Sequence, residues 1–166
     1  LTAAHAEEMF AVLSDPAIYE FENAPPASVA ALRERYRRLE TRGSPDGRER
    51  WLNWVVRRRG AELIGCVQAT VQPTGRAGIA YEFNSRHWRR GYGREATQAM
   101  LAELASHYAV REFTAVLKRA NFRSLGLLQR LGFVPAPADL LAQTGLEEDE
   151  VMLYSPAPRT REVSYL

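Results

Sequence analysis

The stretch Trp88-Arg89-Arg90-Gly91-Tyr92-Gly93-Arg94-Glu95-Ala96 constrains this chain more than any other. Before it lies Gly78-Ile79-Ala80-Tyr81-Glu82-Phe83, a short apolar or aromatic run bounded by Gly75-Arg76 and Asn84-Ser85, the pattern of a buried strand. After it, Ala96, Met100, Leu104 and Tyr108 recur at every fourth place beside Ala99 and Leu101, which predicts a helix over about 91–108. The glycines therefore stand where a strand becomes a helix. At such a junction the first helical N–H groups have no internal partner and the helix dipole is positive, so backbone alone can bind an anion. Gly91 and Gly93 keep side chains away from that anion, and Arg89, Arg90 and Arg94 add positive charge. A pyrophosphate fits; a plain tight turn is the alternative. The spacing is neither that of a Walker P-loop nor that of the three-glycine dinucleotide fingerprint, which counts against ATP and NAD.

A chain of 166 residues, 46% of them apolar, is expected to form one domain over 1–166, with 156–166 as a loose tail. Cys66 is the only cysteine, so no disulfide framework and no cysteine-based zinc site is expected, and a reducing compartment is favoured. No run reaches transmembrane length, and the opening residues lack the basic and then apolar order of a secretory signal. The expectation is a soluble cytoplasmic protein without a membrane partner or a metal. Arginine supplies nearly all the positive charge, Lys118 being the single lysine. The clusters Arg57-Arg58-Arg59 and Arg86 to Arg94 would suit nucleic acid, yet only Trp88 and Tyr92 stand beside them to stack on bases. A solvated turn and a phosphate site are the preferred reading, with no nucleic-acid partner.

Along the chain, residues 3–13 read as a helix with Ala6, Met9, Phe10 and Leu13 on one face, and 29–39 as a second, arginine-rich helix after Pro25-Pro26. A loop over 41–47 leads to strands at 51–58 and 62–72 around Arg59-Gly60-Ala61, an antiparallel hairpin in which Leu63, Gly65, Val67, Ala69 and Val71 share a face. The 79–83 strand, the glycine turn and its helix follow. Then come a strand at 113–118, a helix at 121–131 with Leu125, Leu128 and Leu131 inward, an irregular loop at 134–149 and a closing strand at 151–154. The order is that of an α+β, or mixed α/β, domain with helices packed on a central sheet.

Two separated segments resemble one family. Trp88-Arg89-Arg90-Gly91-Tyr92-Gly93 with Glu95-Ala96 resembles the acetyl-CoA signature of the GNAT N-acetyltransferase superfamily. Asn121-Phe122-Arg123-Ser124, followed by Leu128 and Leu131-Gly132-Phe133, resembles its next motif, Asn-x-x-Ser with Gly-Phe at a set distance. Within the superfamily the chain looks like the ribosomal-protein N-terminal acetyltransferase (RimJ/RimL-like) branch, where Trp commonly opens the first motif. The resemblance implies a central, mostly antiparallel sheet with a splayed pair of strands and flanking helices. It also implies a strand ahead of the segment that begins here at Leu1. Without that strand a sheet edge stays open, and a homodimer would cover it.

The resemblance further implies transfer of an acetyl group from acetyl-CoA, as co-substrate, to a primary amine by direct attack, with a protein N-terminus or a small amine as acceptor. Backbone from Arg89 to Arg94, including Tyr92, holds the pyrophosphate; the strand around Tyr81 and Phe83 offers its backbone to the pantetheine amides. Asn121 contacts the pantetheine arm, caps the helix, or does both. The superfamily's tyrosine general acid falls at Leu128, which leaves the acid role to Ser124, unless that serine only bonds backbone. The acidic residue that some relatives carry at the start of the cofactor strand falls at Gly78. Glu82 is then the nearest carboxylate, either a partly desolvated base or the partner of an arginine such as Arg86. His87 is a weaker candidate, either resistant to protonation beside the basic turn or simply exposed. Trp51, Trp54 and Tyr81 line the acceptor site or belong to the core, and Glu20 and Glu22 lie within reach of a positively charged acceptor. The alternative to an enzyme is a sensor or interaction module that binds acetyl-CoA without transferring it.

Overall fold

The computed structural model describes residues 1–60 and 62–157. Six strands form one sheet in the order β1-β2-β3-β4-β6-β5, where β1 is Arg50–Arg57, β2 Leu63–Val71, β3 Arg76–Phe83, β4 Glu112–Lys118, β5 Val134–Pro135 and β6 Glu150–Pro156. Every neighbouring pair is antiparallel except β3 and β4. The helices are α1 (Ala6–Leu13, entered through a 3-10 turn at Ala3–His5), α2 (Val29–Leu39), α3 (Tyr92–His107), α4 (Phe122–Arg130) and α5 (Ala138–Leu141). None is long and apolar enough to cross a membrane.

Each face of the sheet has its own core. On one face Leu52, Val67, Ala69, Ile79, Phe83, Phe113 and Leu117 pack against Met100 and Leu104 of α3 and Leu128 of α4. On the other, Cys66 and Val55 pack beneath Met9, Leu13, Leu32 and Tyr36 of α1 and α2. Further along this second face Met152 lies under Ala136 and Leu140. Period-two alternation explains the division, with one correction. Leu63 packs with α1 and α2, apart from Val67, Ala69 and Val71. Arg57 pairs with Leu63 and Val56 with Gly65, so Ile64 is an extra residue on β2, and that bulge breaks the alternation.

Three other segments differ from the sequence reading. Residues 134–149 are not an irregular loop throughout: Val134 and Pro135 pair with Tyr154 and Leu153, and α5 buries Leu140. The strand there is two residues long and the helix four, too short for either period to be visible. β3 begins at Arg76, because Ala77, a fully buried residue, already pairs with Val71. Pro156 closes β6, and Ala157 N–H donates to Arg111 O at 2.8 Å; the expected tail beyond Ala157, like Ala61 of the hairpin turn, lies outside the described residues.

Gly65 fixes how closely β2 approaches β3. A Cβ there would lie 2.3 Å from Glu82 O and 2.6 Å from the Phe83 ring. Backbone has to move to admit it. Gly65→Ala is expected to cost about 1–3 kcal/mol, the range for overpacking a well-filled site. Urea unfolding checks this, and a midpoint equal to that of the unaltered protein would refute it.

Candidate functional site

β3 and β4 run parallel and pair only from Arg76/Glu112 to Gly78/Thr114. Beyond that point both strands continue, β3 to Phe83 and β4 to Lys118, without pairing to each other. On its other side β3 stays paired to β2 as far as Phe83. Asn84 N–H donates to Ile64 O across β2 at 3.0 Å. By alternation, Ile79, Tyr81 and Phe83 therefore turn their backbone groups to the opposite edge, where β4 has already departed. Phe83 O is taken by Trp88 Nε1 at 2.7 Å. With the Phe83 carbonyl so occupied, the backbone of Tyr81 and the N–H of Phe83 remain on this edge, where the amides of an extended arm could pair.

The glycine turn stands at the open end of this edge. Trp88, tied to Phe83 O, starts it; Arg89 and Gly91 both have positive φ, at 59° and 86°. Gly91 is the residue before α3, and Glu95 N–H donates to its carbonyl at 3.0 Å. The preceding N–H groups, from Arg89 through Arg90, Gly91, Tyr92 and Gly93 to Arg94, have no acceptor among the described residues. Such a run of free donors at a helix start is suited to a pyrophosphate. The two glycines serve different purposes. Gly91 has the φ that other residues adopt only with strain, and the space beside it is open. A Cβ on Gly93 would lie 3.0 Å from the Leu127 side chain, so its bareness lets α3 approach α4 rather than clearing an anion.

Asn121 caps α4, its Oδ1 accepting from Ser124 N–H at 3.1 Å. The Ser124 hydroxyl has no partner among the described residues, so the reading of a serine that merely bonds backbone does not apply. Ser124 O accepts from the Tyr81 hydroxyl at 3.4 Å, and burial pushes the Tyr81 phenol up to about 12. Leu128, in the place of the superfamily's tyrosine, is fully buried in the core.

Glu82 projects from the opposite face of β3 to Tyr81, next to Cys66, whose Sγ donates to Glu82 Oε2 at 3.8 Å. Burial raises its pKa; the positive field of Arg35 on α2 opposes that rise, and Glu22 adds to it. The expected alternative partner, Arg86, bonds Asn84 Oδ1 through Nε instead, and Glu82 has no ion pair among the described residues. The tight turn carrying Arg86 aims it back along the chain. Tyr36 leaves its hydroxyl buried and unpartnered on this same face. Glu82 and Ser124 thus flank the gap between β3 and β4 from opposite faces of the sheet. An arm threaded through the gap would meet a carboxylate on one side and a hydroxyl on the other.

His87 is not exposed. Only 11% of its side chain is accessible, Nε2 lies 3.8 Å from Glu62 Oε1, and desolvation lowers its pKa. Its neighbours are Glu62 and the Tyr92 ring, 6.2 Å away, rather than Glu82.

Trp51 and Trp54 cannot share an acceptor site, because residues three apart on a strand point to opposite faces. Trp54 packs into the α3 core; Trp51 lies on the α2 face, its Nε1 donating to Glu49 at 3.0 Å. Glu20 is already paired, with Arg123 of α4, whose guanidinium also stacks on Trp88 at 4.5 Å and Phe21 at 5.5 Å. Glu22 has no ion pair among the described residues. Arg123 therefore fastens Glu20 and Phe21 to the start of the glycine turn, a contact no sequence signal pointed to. Among the described residues no group of three or more His, Cys, Asp or Glu side chains is arranged to hold a metal.

A family profile described as an acetyltransferase (GNAT) domain matches residues 1–134. The uncharacterized N-acetyltransferase YoaA of Bacillus subtilis (strain 168) is 28% identical over 139 residues, 80% of this chain and 76% of that protein. Among solved structures, the spermidine N-acetyltransferase of Vibrio cholerae in complex with CoA and spermine superposes with a TM-score of 0.74 at 20% identity, covering 95% of this chain and 92% of that one. The ribosomal-protein-S5-alanine acetyltransferase of Vibrio fischeri gives 0.74 at 16% identity, over 96% and 91%.

Proposed function

The chain belongs to the GNAT acetyltransferase family, and from that premise we propose that it moves an acetyl group from acetyl-CoA to a primary amine by direct attack. The observation that carries this reading is the continuity of two binding features: the free N–H groups from Arg89 to Arg94, and the unpaired β3 edge beyond Gly78. One suits a pyrophosphate and the other the amide arm joined to it. Acetyl-CoA supplies an activated carbonyl; the protein has to orient it, exclude water and manage protons.

Glu82 is the base. It takes the proton that the amine nitrogen must lose, directly or through a water, as that nitrogen bonds to the acetyl carbon and the carbon–sulfur bond breaks. Ser124 donates its hydroxyl proton toward the departing sulfur and regains one from solvent. Tyr81 and Phe83 align the arm through backbone, and Asn121 both caps α4 and reaches toward it. No covalent acyl-enzyme is required, consistent with Cys66, whose thiol is pushed up by burial and by Glu82.

For the acceptor, the RimJ/RimL-like resemblance favours a protein N-terminus, whereas one similar structure is a spermidine enzyme. A second reading, an acetyl-CoA-binding module without turnover, draws on Leu128 and Gly78, where the resemblance would otherwise supply an acid and a base. Titration calorimetry with acetyl-CoA, using dephospho-CoA and ATP as controls, tests both. One saturable site for acetyl-CoA with weaker binding of the controls is expected. Folded protein that binds none of them would end both readings. Binding without thiol release from a broad amine panel would favour the module.

A further inference from the structure

The α2 face of the sheet is covered at its two ends and bare between them. α1 and α2 cover Cys66 and Val55; α5 covers Met152. Between these covers Gly78 and Ala80 of the central strand β3 are exposed, and Val116 of β4 is 44% exposed. On the α2 side this bare strip runs into a cavity of about 240 Å³ lined by Arg35, Leu39, Trp51, Asn53, Gln68 and Thr70. Cross-strand pairing fixes the order of its floor: Asn53 faces Gln68, which faces Ala80, and Cys66 faces Glu82 one pleat further on. The cavity and the carboxylate are thus neighbours on one surface.

Trp51 of this cavity is bonded to Glu49 and Leu39 packs toward α1, but the cavity's other polar side chains are uncommitted. Asn53, Gln68 and Thr70 are half-buried, and none of their side chains has a hydrogen-bond partner among the described residues. Gln68 and Thr70 are the two side chains of β2 able to donate a hydrogen bond through nitrogen or oxygen, and Asn53 of β1 stands directly across from Gln68. Arg35 makes no ion pair or hydrogen bond with a described residue, although elsewhere on α2 Arg37 is paired with Glu34. Its charge acts on Glu82, Tyr36 and Tyr19 as an unneutralised field. No carboxylate lines the cavity. At the other end of the strip stand Glu82 and, acting on it, Glu22, which has no ion pair among the described residues. The surface is therefore acidic where the amine must arrive and basic one pleat away.

On the basis of the transferase reading, we propose that the acceptor is an amine that also carries a carboxylate, received by Arg35 with Gln68 and Asn53 while the nitrogen lies at Glu82. Two residues of strand separate the Gln68 and Cys66 levels, about 7 Å. An α-amino acid, with amine and carboxyl on one carbon, is too short to span that distance, whereas two residues of extended chain reach it. A short peptide with a free carboxylate, or an ω-amino acid of similar length, is the fitting class. Polyamines are disfavoured, since Arg35 would face their second cation with no counter-charge beside it.

The experiment measures thiol release from acetyl-CoA with alanyl-alanine, its C-terminal amide and spermidine, using the full chain and the exposed-site variants Arg35→Gln and Arg35→Glu. Each variant's acetyl-CoA affinity is measured first, to establish that it is folded and loaded. The free acid is expected to have a KM about 10–100-fold below that of the amide, the value of one charge-assisted contact, at similar kcat. Arg35→Gln should erase that difference and Arg35→Glu should invert it. Equal KM values for acid and amide, a preference for spermidine, or no response to Arg35→Gln would overturn the substrate class and leave the acetyltransferase reading standing. Acetyl-CoA binding with no thiol release from any of the three would overturn the transferase reading and this inference with it.

Discussion

Replacing Glu82 with Gln is expected to lower kcat/KM for amine acetylation by about 10²–10⁴, the usual worth of a positioned general base, and to leave acetyl-CoA affinity unchanged. The asymmetry follows from where the side chain lies. Glu82 projects to the α2 face, whereas the glycine turn and the cap of α4 are reached from the other face or from the strand edge. A pH profile gives a second readout. Burial raises the Glu82 pKa, and a base works only when deprotonated, so kcat/KM should climb with pH through a step lying above the ordinary carboxylate range. Glu82→Gln should lose that step and keep the one belonging to the amine acceptor. Stability should move the other way. The folded pKa is raised, so the ionised form burdens the folded state, and this cost is absent below the unfolded pKa and complete above the folded one. Glu82→Gln should therefore be as stable as the unaltered protein in acid and more stable at neutral pH. A variant with unchanged turnover, or one whose lost activity tracks lost stability, would remove Glu82 from the chemistry.

The second large effect is expected at Gly91. Gly91→Arg should weaken acetyl-CoA binding by at least about 100-fold, which is some 2.7 kcal/mol. Two costs combine. A residue with a Cβ at φ 86° bears roughly 1–2 kcal/mol of strain, relieved by turning the peptide and so misaligning the free N–H groups beside it. The added side chain also occupies the open space beside those donors, since no atom beyond the chain neighbours of Gly91 lies within 4 Å of a Cβ placed there. That emptiness predicts that the variant folds, because nothing in the core is displaced. Calorimetry should register the loss of binding, and circular dichroism should register an unchanged fold. Retention of affinity within threefold would mean that the pyrophosphate lies elsewhere.

Much of the candidate site was legible because it is local. A glycine turn between a strand and a helix declares its free donors through residue type and spacing, and an Asn before a helix declares a cap; the structure bears out the places of both. The apolar stripe of α3 reads correctly from its four-residue recurrence, with Met100 and Leu104 buried. The distinction between the two glycines was not legible, since it depends on Leu127 arriving from another helix. Nor was the pairing of Glu20 with Arg123, residues far apart in the chain and joined only when α4 meets the chain at Glu20 and Phe21.

The same division holds for the faces of the sheet. Alternation by itself separates Trp51 from Trp54 and groups Gly78, Ala80 and Glu82 on one side, because a strand has period two wherever it lies. It cannot say which helices cover that side or where they stop, and the bulge at Ile64 shows how one extra residue redirects even the alternation. Sequence alone determined the order of the elements outside 134–149, the place of the glycine turn before α3 and the family, all of which rest on patterns among near neighbours in the chain. Tertiary structure decided that Glu82 is half-buried without an ion pair among the described residues, that Arg35 likewise stands unpaired among them above a polar strip, and that β3 and β4 part after Gly78. Burial, charge balance and strand separation are set by segments brought together from across the chain, and no single segment encodes them.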